Sequence, residues 1–395
     1  MSAIKGAMTK KALLVEPPYR HRYPSIPLLK LSTYLKKEGF ATEYAGCFED
    51  FKRNEYERVL VTTLFTFDWM VCIDAILEAK KRYPRASISV GGPYASLMPE
   101  HVEKHTGVKP FVGASREVDE CAPDYALIPS AVFDGTSHIF TSRGCPRNCA
   151  FCGTRKLEPE MRIIESWKGH LMPESRMAVI HDNNVLAHGG DHFHGVITFL
   201  SENRVRFFFD NGFDCRLFEK AHADLLRSAP ISQIRFAFDS MSQDGMLQEA
   251  IAACKEKGIR ASKITVFILY NFNEPPDSAV YRAQEVLKLG ARPWAMRYTP
   301  LTWLNPLRTY IANGWSMDQV VDFGQYINSG WIRKMAFQEW TEKRCLRRRT
   351  KGLSRPGNGF NDIIARAQEE ATARGDQESL FNPPDLIMKL LANQM

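Results

Sequence analysis

The chain has 395 residues, so at roughly 150 residues per domain two or three domains with a sizeable core are expected. An apolar fraction of 44% and a charged fraction of 25% exclude a disordered, collagen-like or coiled-coil chain, and nine cysteines are too sparse for a disulfide scaffold of this length. The formal net charge of +7 is carried by one segment, 333–355, where nine basic residues stand against Glu339 and Glu342.

The opening stretch carries lysines but only a short apolar run at 12–15, and reads as no secretory signal. Residues 11–16 predict a buried strand. The spacing of Leu28, Leu31, Tyr34 and Leu35 predicts a helix over 27–39 that Gly39 stops. A strand at 59–63, a helix at 69–82 and a strand at 86–90 follow, the last running into Gly91-Gly92-Pro93. The span 59–77 is the most apolar, but Asp68 and Asp74 would each cost about 2.5–3.5 kcal/mol at a bilayer centre. A strand and a helix explain it without a membrane, and the expectation is a reduced, cytoplasmic protein. Alternating strands and helices imply a parallel sheet with right-handed crossovers, so residues 1–115 are expected to form an open, Rossmann-like α/β domain. Residues 116–135 are polar, contain proline and suit a linker.

A second series predicts strands at 138–142, 177–182, 205–210, 233–239, 263–270 and 293–298, with helices at 216–227, 245–257 and 278–289 between them. Six βα units over 136–303 make a partial (β/α)6 TIM-like barrel, whose site would lie at the C-terminal ends of the strands. Residues 304–395 are expected to be helical, with the basic segment 333–355 and a last helix near 385–393. Within that segment Arg347, Arg348 and Arg349 could bind a polyanion such as nucleic acid, or simply end a solvated helix.

The strongest chemical signal is Cys145-Pro146-Arg147-Asn148-Cys149-Ala150-Phe151-Cys152, three thiols spaced CxxxCxxC. The other six cysteines are scattered, as buried free thiols usually are. Three thiolates suit a zinc site closed by a fourth ligand. They equally suit an iron–sulfur cluster, which normally takes four cysteines and would here keep one iron open. The position just after the first strand of the second series, and the lack of a second CxxC hairpin, favour the cluster.

These residues resemble the radical S-adenosylmethionine (radical SAM) enzymes. The likeness extends over 11–300, through Val90-Gly91-Gly92-Pro93, Ala122-Pro123-Asp124-Tyr125, Thr141-Ser142-Arg143-Gly144-Cys145-Pro146, Asp210-Asn211-Gly212-Phe213 and Phe236-Ala237-Phe238-Asp239-Ser240. It resembles most the branch with an N-terminal cobalamin-binding-type domain. The resemblance implies that Cys145, Cys149 and Cys152 hold a [4Fe–4S] cluster and that Phe151 lies beside the adenine. It further implies that S-adenosylmethionine chelates the fourth iron and, on reduction by an external donor such as flavodoxin or ferredoxin, yields a 5′-deoxyadenosyl radical.

The family's GGE motif is missing after the second strand; Gly189-Gly190-Asp191 falls several residues late. Asp182 and Asn183 are the expected contacts to the methionine amino group. Asn211, Asp214, Asp239 and Ser240 are candidates for ribose or substrate, Asn271 follows the fifth strand, and Arg297 on the sixth could meet a carboxylate or phosphate. His188 and His192, four apart, would share a helix face and could hold a second metal, though an ordinary polar face is the simpler reading. The first domain lacks the DxHxxG motif of cobalamin binders, and His21 has none of its neighbours. A degenerate domain without cobalamin is expected, although cobalamin could bind with no protein ligand to cobalt. The alternatives are a cobalamin-dependent methyltransferase and, in another class, a zinc-stabilised nucleic-acid-binding protein without catalysis.

Overall fold

In the computed structural model the structure describes residues 10–19, 25–47, 50–51, 55–128, 133–305 and 310–350, with no side chains at 348–350. His21, Lys351, Arg355 and the last expected helix lie outside them, as do the side chains of Arg348 and Arg349. The fold is mixed α/β, with parallel sheets and helices.

The first sheet has strands β1 (Lys10–Val15), β2 (Phe40–Ala45), β3 (Arg58–Thr62) and β4 (Ser87–Gly91), all parallel in the order β2-β1-β3-β4. Helix Ile26–Lys37 carries proline in its first turn and buries Leu28, Leu29 and Leu35. Helix Trp69–Arg82 buries Cys72, Ile73, Ile76 and Ala79 at helical spacing, which places the apolar span 59–77 in a strand and a helix. Among the described residues no helix is long and apolar enough to cross a membrane. Strand β2 has no counterpart among the expected strands. It is an edge strand, and only Phe40 and Ala45 at its two ends are buried.

The second series contains β5 (Thr136–Ile139), the two-residue strands β6 (Ser142–Arg143) and β7 (Arg162–Ile163), β8 (Met177–Ile180), β9 (Arg206–Phe209), β10 (Ile234–Ala237), β11 (Ile264–Tyr270) and β12 (Arg292–Arg297). Strands β5-β8-β9 and β10-β11-β12 form two parallel three-stranded sheets, and β6 pairs antiparallel with β7. Isolated parallel bridges, Phe207 to Ile231 and Phe213 to Phe236, stitch β9 to the β10 side. The six long strands thus follow one another in chain order. Alternate residues, among them Ile139, Ile180, Phe207, Phe209, Phe236, Val266 and Ile268, pack beneath the crossover helices in one core.

The stretch 116–135, expected to be a linker, contains a capped helical turn, Arg116–Asp119, with Asp119, Cys121, Ile128 and Phe133 buried. It is strapped to the first helix: Ser32 Oγ and Lys36 Nζ both bond Asp124 Oδ2 at 2.6 Å, and Thr33 Oγ1 donates to Ala122 O at 2.7 Å. After β12 the chain returns to the first sheet's core through Leu304, whose carbonyl accepts from Trp69 Nε1 at 3.1 Å. Helices Met317–Asn328 and Phe337–Thr350 follow.

Candidate active site

The cysteine loop leaves the C-terminal side of β5 through the small hairpin β6–β7. At Gly144 the backbone turns with φ +84°, and a Cβ there would lie 2.3 Å from the Glu160 carbonyl oxygen, so only glycine fits. Arg143, just before it, is buried and bonds Asp119 through Nε at 3.1 Å and Nη2 at 2.7 Å. Its Nη1 reaches Glu158 Oε1 at 2.9 Å, and its guanidinium lies 3.6 Å over the Phe140 ring. Arg162, on the other strand of the hairpin, also bonds Asp119. Glu158 Oε2 closes the loop by accepting from Gly144 N at 3.0 Å and Asn183 Nδ2 at 2.7 Å. These bonds fix the loop without using its thiols.

Cys145 and Cys149 are half-buried and Cys152 is exposed. Burial pushes the Cys149 thiol up; Arg216 opposes this, while Cys152, Asp239 and Cys145 add to it. The three thiols therefore share one electrostatic neighbourhood. Cys152 Sγ lies 3.2 Å from Thr154 Oγ1, which in turn donates to Asn183 Oδ1 at 3.2 Å. Asn184 is buried beside the first thiol. Its Nδ2 lies 3.7 Å from Cys145 Sγ and 3.3 Å from Asp214 Oδ2, whereas its Oδ1 is buried with no hydrogen-bond partner among the described residues. A buried acceptor left unmatched costs about 1–3 kcal/mol, so this atom marks a place for a donor that the described residues do not supply.

The expected cofactor contacts divide into two groups. Asp182 is enclosed: Oδ1 accepts from Thr141 N at 2.6 Å, and Oδ2 accepts from Ser142 Oγ at 2.8 Å and from the Thr141 hydroxyl. It ties the end of β8 to the approach of the cysteine loop. Asn271 is fully buried with φ +62°; its Nδ2 donates to Tyr298 O at 3.1 Å and Tyr310 O at 3.0 Å, and its Oδ1 accepts from Ala312 N at 2.8 Å. Asn211 donates to the carbonyls of His181 and Asp182. Ser240 caps the short helix Met241–Gln243. Asn183 is bonded into the cysteine loop as described.

Asp239, Asp214, Phe151 and Arg297 border the loop or its strand ends. Burial raises the Asp239 carboxyl to about 6 against the pull of Arg282 and Arg216. Its carboxylate takes no hydrogen bond among the described residues. Asp214 accepts from Arg147 Nε at 3.0 Å and Arg216 Nε at 2.6 Å. Phe151 meets Phe272 edge-on at 5.6 Å, and Phe272 continues to Tyr298 at 4.6 Å, an aromatic wall from the cysteine loop across the ends of β11 and β12. Arg297 Nη2 donates to Tyr310 O at 3.4 Å.

Asn184, Arg147, Arg216, Glu158 and Arg282 are additions that sequence reasoning missed. Arg282 is the largest fully buried side chain among the described residues. It donates to the carbonyls of Phe238 and Leu269, at the ends of β10 and β11, and pairs with Glu274 at 3.3 Å. Arg147 lies within the cysteine motif itself and Asn184 follows Asn183, which were the available signals. His188 and His192 meet edge-on at 5.9 Å, and His192 Nε2 lies 3.0 Å from Thr141 Oγ1. Among the described residues no three His, Cys, Asp or Glu side chains are gathered as for a single metal ion. In the basic segment, Arg344 bonds the buried Asp322 at 2.9 Å and Lys343 pairs with Glu339 at 2.5 Å.

No protein-family model and no curated protein matches this chain. Solved structures do. The radical S-adenosylmethionine methyltransferase TsrM from Kitasatospora setae, with cobalamin and a [4Fe–4S] cluster bound, matches with a TM-score of 0.60 at 15% identity, over 75% of this chain and 77% of that one. The same enzyme with its tryptophan substrate and an S-adenosylmethionine analogue (aza-SAM) matches at 0.59, with 15% identity over 74% and 75%. At that identity the likeness is one of fold.

Proposed function

We propose that this chain is a radical SAM enzyme, with Cys145, Cys149 and Cys152 holding a [4Fe–4S] cluster in a partial (β/α)6 barrel. The observation that carries this is one loop bearing three thiols, pinned by Gly144 and the Arg143–Asp119–Glu158 ion network, with the orphaned Asn184 Oδ1 beside Cys145. The donor set fits: three thiolates leave one iron of the cluster open, and the unmatched acceptor suits an ammonium group such as that of S-adenosylmethionine. When bound, the cluster and S-adenosylmethionine would supply one-electron cleavage to a 5′-deoxyadenosyl radical, which takes hydrogen from a substrate. The chain's own residues do the rest. Arg143 and Glu158 hold the loop, Asn184 takes an N–H donor, and Phe151, Phe272 and Tyr298 shield the strand ends from water, which protects a reactive centre. An external electron donor would serve the exposed Cys152 side, and a polyanionic partner would meet Arg347, Arg348 and Arg349.

Cobalamin-dependent methyl transfer is the second reading, favoured by the fold shared with a cobalamin-holding methyltransferase. Among the described residues the first sheet marks no such site. A Cβ at Gly92 would lie 2.2 Å from Thr63 O, so that turn closes on the chain itself, and among the described residues no orphaned buried side-chain atom falls within 10–128.

Anaerobic reconstitution is expected to give about four irons per chain and 5′-deoxyadenosine under reductant. Cys149→Ala should stay folded, colourless and inactive. One zinc per chain without turnover would overturn the proposal, and a cobalamin absorption band would favour the second reading.

A further inference from the structure

We infer that His138 presents an unprotonated ring nitrogen, fixed by His181 and Asp210, as the acceptor for a neutral N–H or O–H group of a ligand held on the open face of the second strand series. Calling that ligand the substrate rests on the function proposed above; the acceptor itself does not, since no cysteine takes part. The open face is the one turned away from the crossover helices. Ile139, Ile180, Phe207, Phe209 and Phe236 pack in the core beneath those helices. By the two-residue period of a strand, His138, Phe140, His181, Phe208, Asp210 and Arg235 point the other way, and all six are half-buried.

Four of these side chains form one line of contacts from β5 to β10. His138 Nδ1 lies 2.9 Å from His181 Nε2, His181 Nδ1 lies 3.4 Å from Asp210 Oδ2, and Arg235 Nη1 donates to Asp210 Oδ1 at 2.5 Å. The proton positions follow in order. The bond from His181 and the charge of Arg235 hold the Asp210 carboxyl below its ordinary value, so at neutral pH it is a carboxylate that only accepts. His181 then carries its proton on Nδ1, which leaves its Nε2 to accept. His138 must donate from Nδ1, and its Nε2 is left bare. That nitrogen makes no hydrogen bond among the described residues and, unlike His188 Nε2, is not buried. Burial and His181 lower the His138 pKa to about 4, with Asp210 resisting. His138 is therefore neutral at ordinary pH and too weak a base to take a proton outright; it accepts a hydrogen bond. A carboxylate, with no proton to offer, is turned away. The two facing nitrogens, 2.9 Å apart, leave no room for a metal ion between them. Phe140 lies 5.5 Å from His181, and Phe208 and Phe267 lie 4.4 and 5.6 Å from the Arg235 guanidinium, surroundings that suit an apolar body carrying the donor.

Nitrogen NMR of the full chain, isotope-labelled in histidine, reads each ring nitrogen, and His138→Gln identifies the His138 signals. Wild type is expected to show Nε2 unprotonated and Nδ1 protonated. Phenol, an O–H donor on an apolar ring, should move the Nε2 signal toward the protonated position; anisole, the same body without the O–H, should not. In Asp210→Asn the Arg235 guanidinium keeps the amide oxygen, so the amide N–H faces His181 Nδ1 and reverses every bond in the line. His138 should then carry its proton on Nε2, with its two shifts exchanged, and phenol should lose its advantage over anisole. A protonated His138 Nε2 in wild type, a tautomer unchanged in the variant, or a wild type that does not prefer phenol would each overturn the inference. Should Asp210→Asn not fold, His181→Phe keeps a ring and removes both nitrogens. The His138 shifts should then average between the two tautomers, and unchanged shifts would overturn the inference. Iron content of the same preparations reports on the cluster separately, so a chain that binds no iron would refute the proposed function while the tautomer still reads out.

Discussion

Arg143 and Asp119 meet in a two-point ion pair sealed from solvent, one residue before the glycine that launches the cysteine loop and one turn into a stretch that looks like a connector. Burial alone would raise the Asp119 carboxyl, but Arg143, its hydrogen bonds, Lys30 and Arg162 reverse this and hold it below the ordinary value. Removing one partner of a buried pair strands the other. Asp119→Ala is therefore expected to cost about 3–5 kcal/mol in urea unfolding. A carboxyl with a depressed folded pKa stabilises the fold above its unfolded value, about 3.9, and loses that contribution as pH falls through the folded value. The stability gap between wild type and Asp119→Asn should narrow below about pH 4; a gap independent of pH would count against this pairing.

Lys30 titrates in the opposite range. It is buried, donates to Asp119 O at 2.6 Å and lies 3.4 Å from His170 Nδ1. Burial lowers its pKa to about 8, with Asp119 resisting. Between that value and the free-lysine value of about 10.4 the unfolded chain keeps a proton that the folded chain has released, so stability rises with pH across this window. Lys30→Met should lack that rise, which denaturant midpoints at the two ends of the window would show.

Thiol chemistry should sort the cysteines by position. Burial pushes Cys72 and Cys254 up to about 12 and Cys215 to about 11, which keeps them protonated at neutral pH. The thiolate is the nucleophile. In iron-free protein, iodoacetamide followed by peptide mass spectrometry should label exposed Cys152 first and reach those three only on unfolding. Early labelling of Cys254 would contradict its burial in the core of the second series.

Asn184→Ala removes the orphaned acceptor, and with it the Nδ2 contact to Cys145 Sγ, while all three thiols stay in place. Iron content should be kept, while S-adenosylhomocysteine binding weakens about tenfold, the scale of one hydrogen bond to a charged group. Unchanged affinity by calorimetry would remove Asn184 from the ligand site.

Strands β8 and β9 were legible because each is a mostly apolar run ending at a polar residue, Met177–Ile180 at His181 and Arg206–Phe209 at Asp210. Strand β2 was not, because an edge strand need not bury every second residue, and Thr42, Glu43 and Tyr44 look like loop. The β6–β7 hairpin is too short to leave any period. At the site, the cysteine spacing declared itself, but a polar residue at a strand end looks the same whether it meets a ligand or its own chain. Only folding brings Thr141 and Ser142 onto Asp182, or Tyr310 onto Asn271. Asn184 was hidden beside its more prominent neighbours, and Arg282 sits on a helix far from the cysteines in sequence, beneath the strand ends that it secures.

The join between β9 and β10 is narrower than any other in the six-strand series, two isolated bridges where its neighbours have ladders of four residues or more. Gly212 makes it tight, since a Cβ there would lie 2.8 Å from Arg235 O. The wall is held there by single bridges and side chains in place of a ladder, and the Phe151–Phe272 ring contact spans the join from the thiol loop to the end of β11.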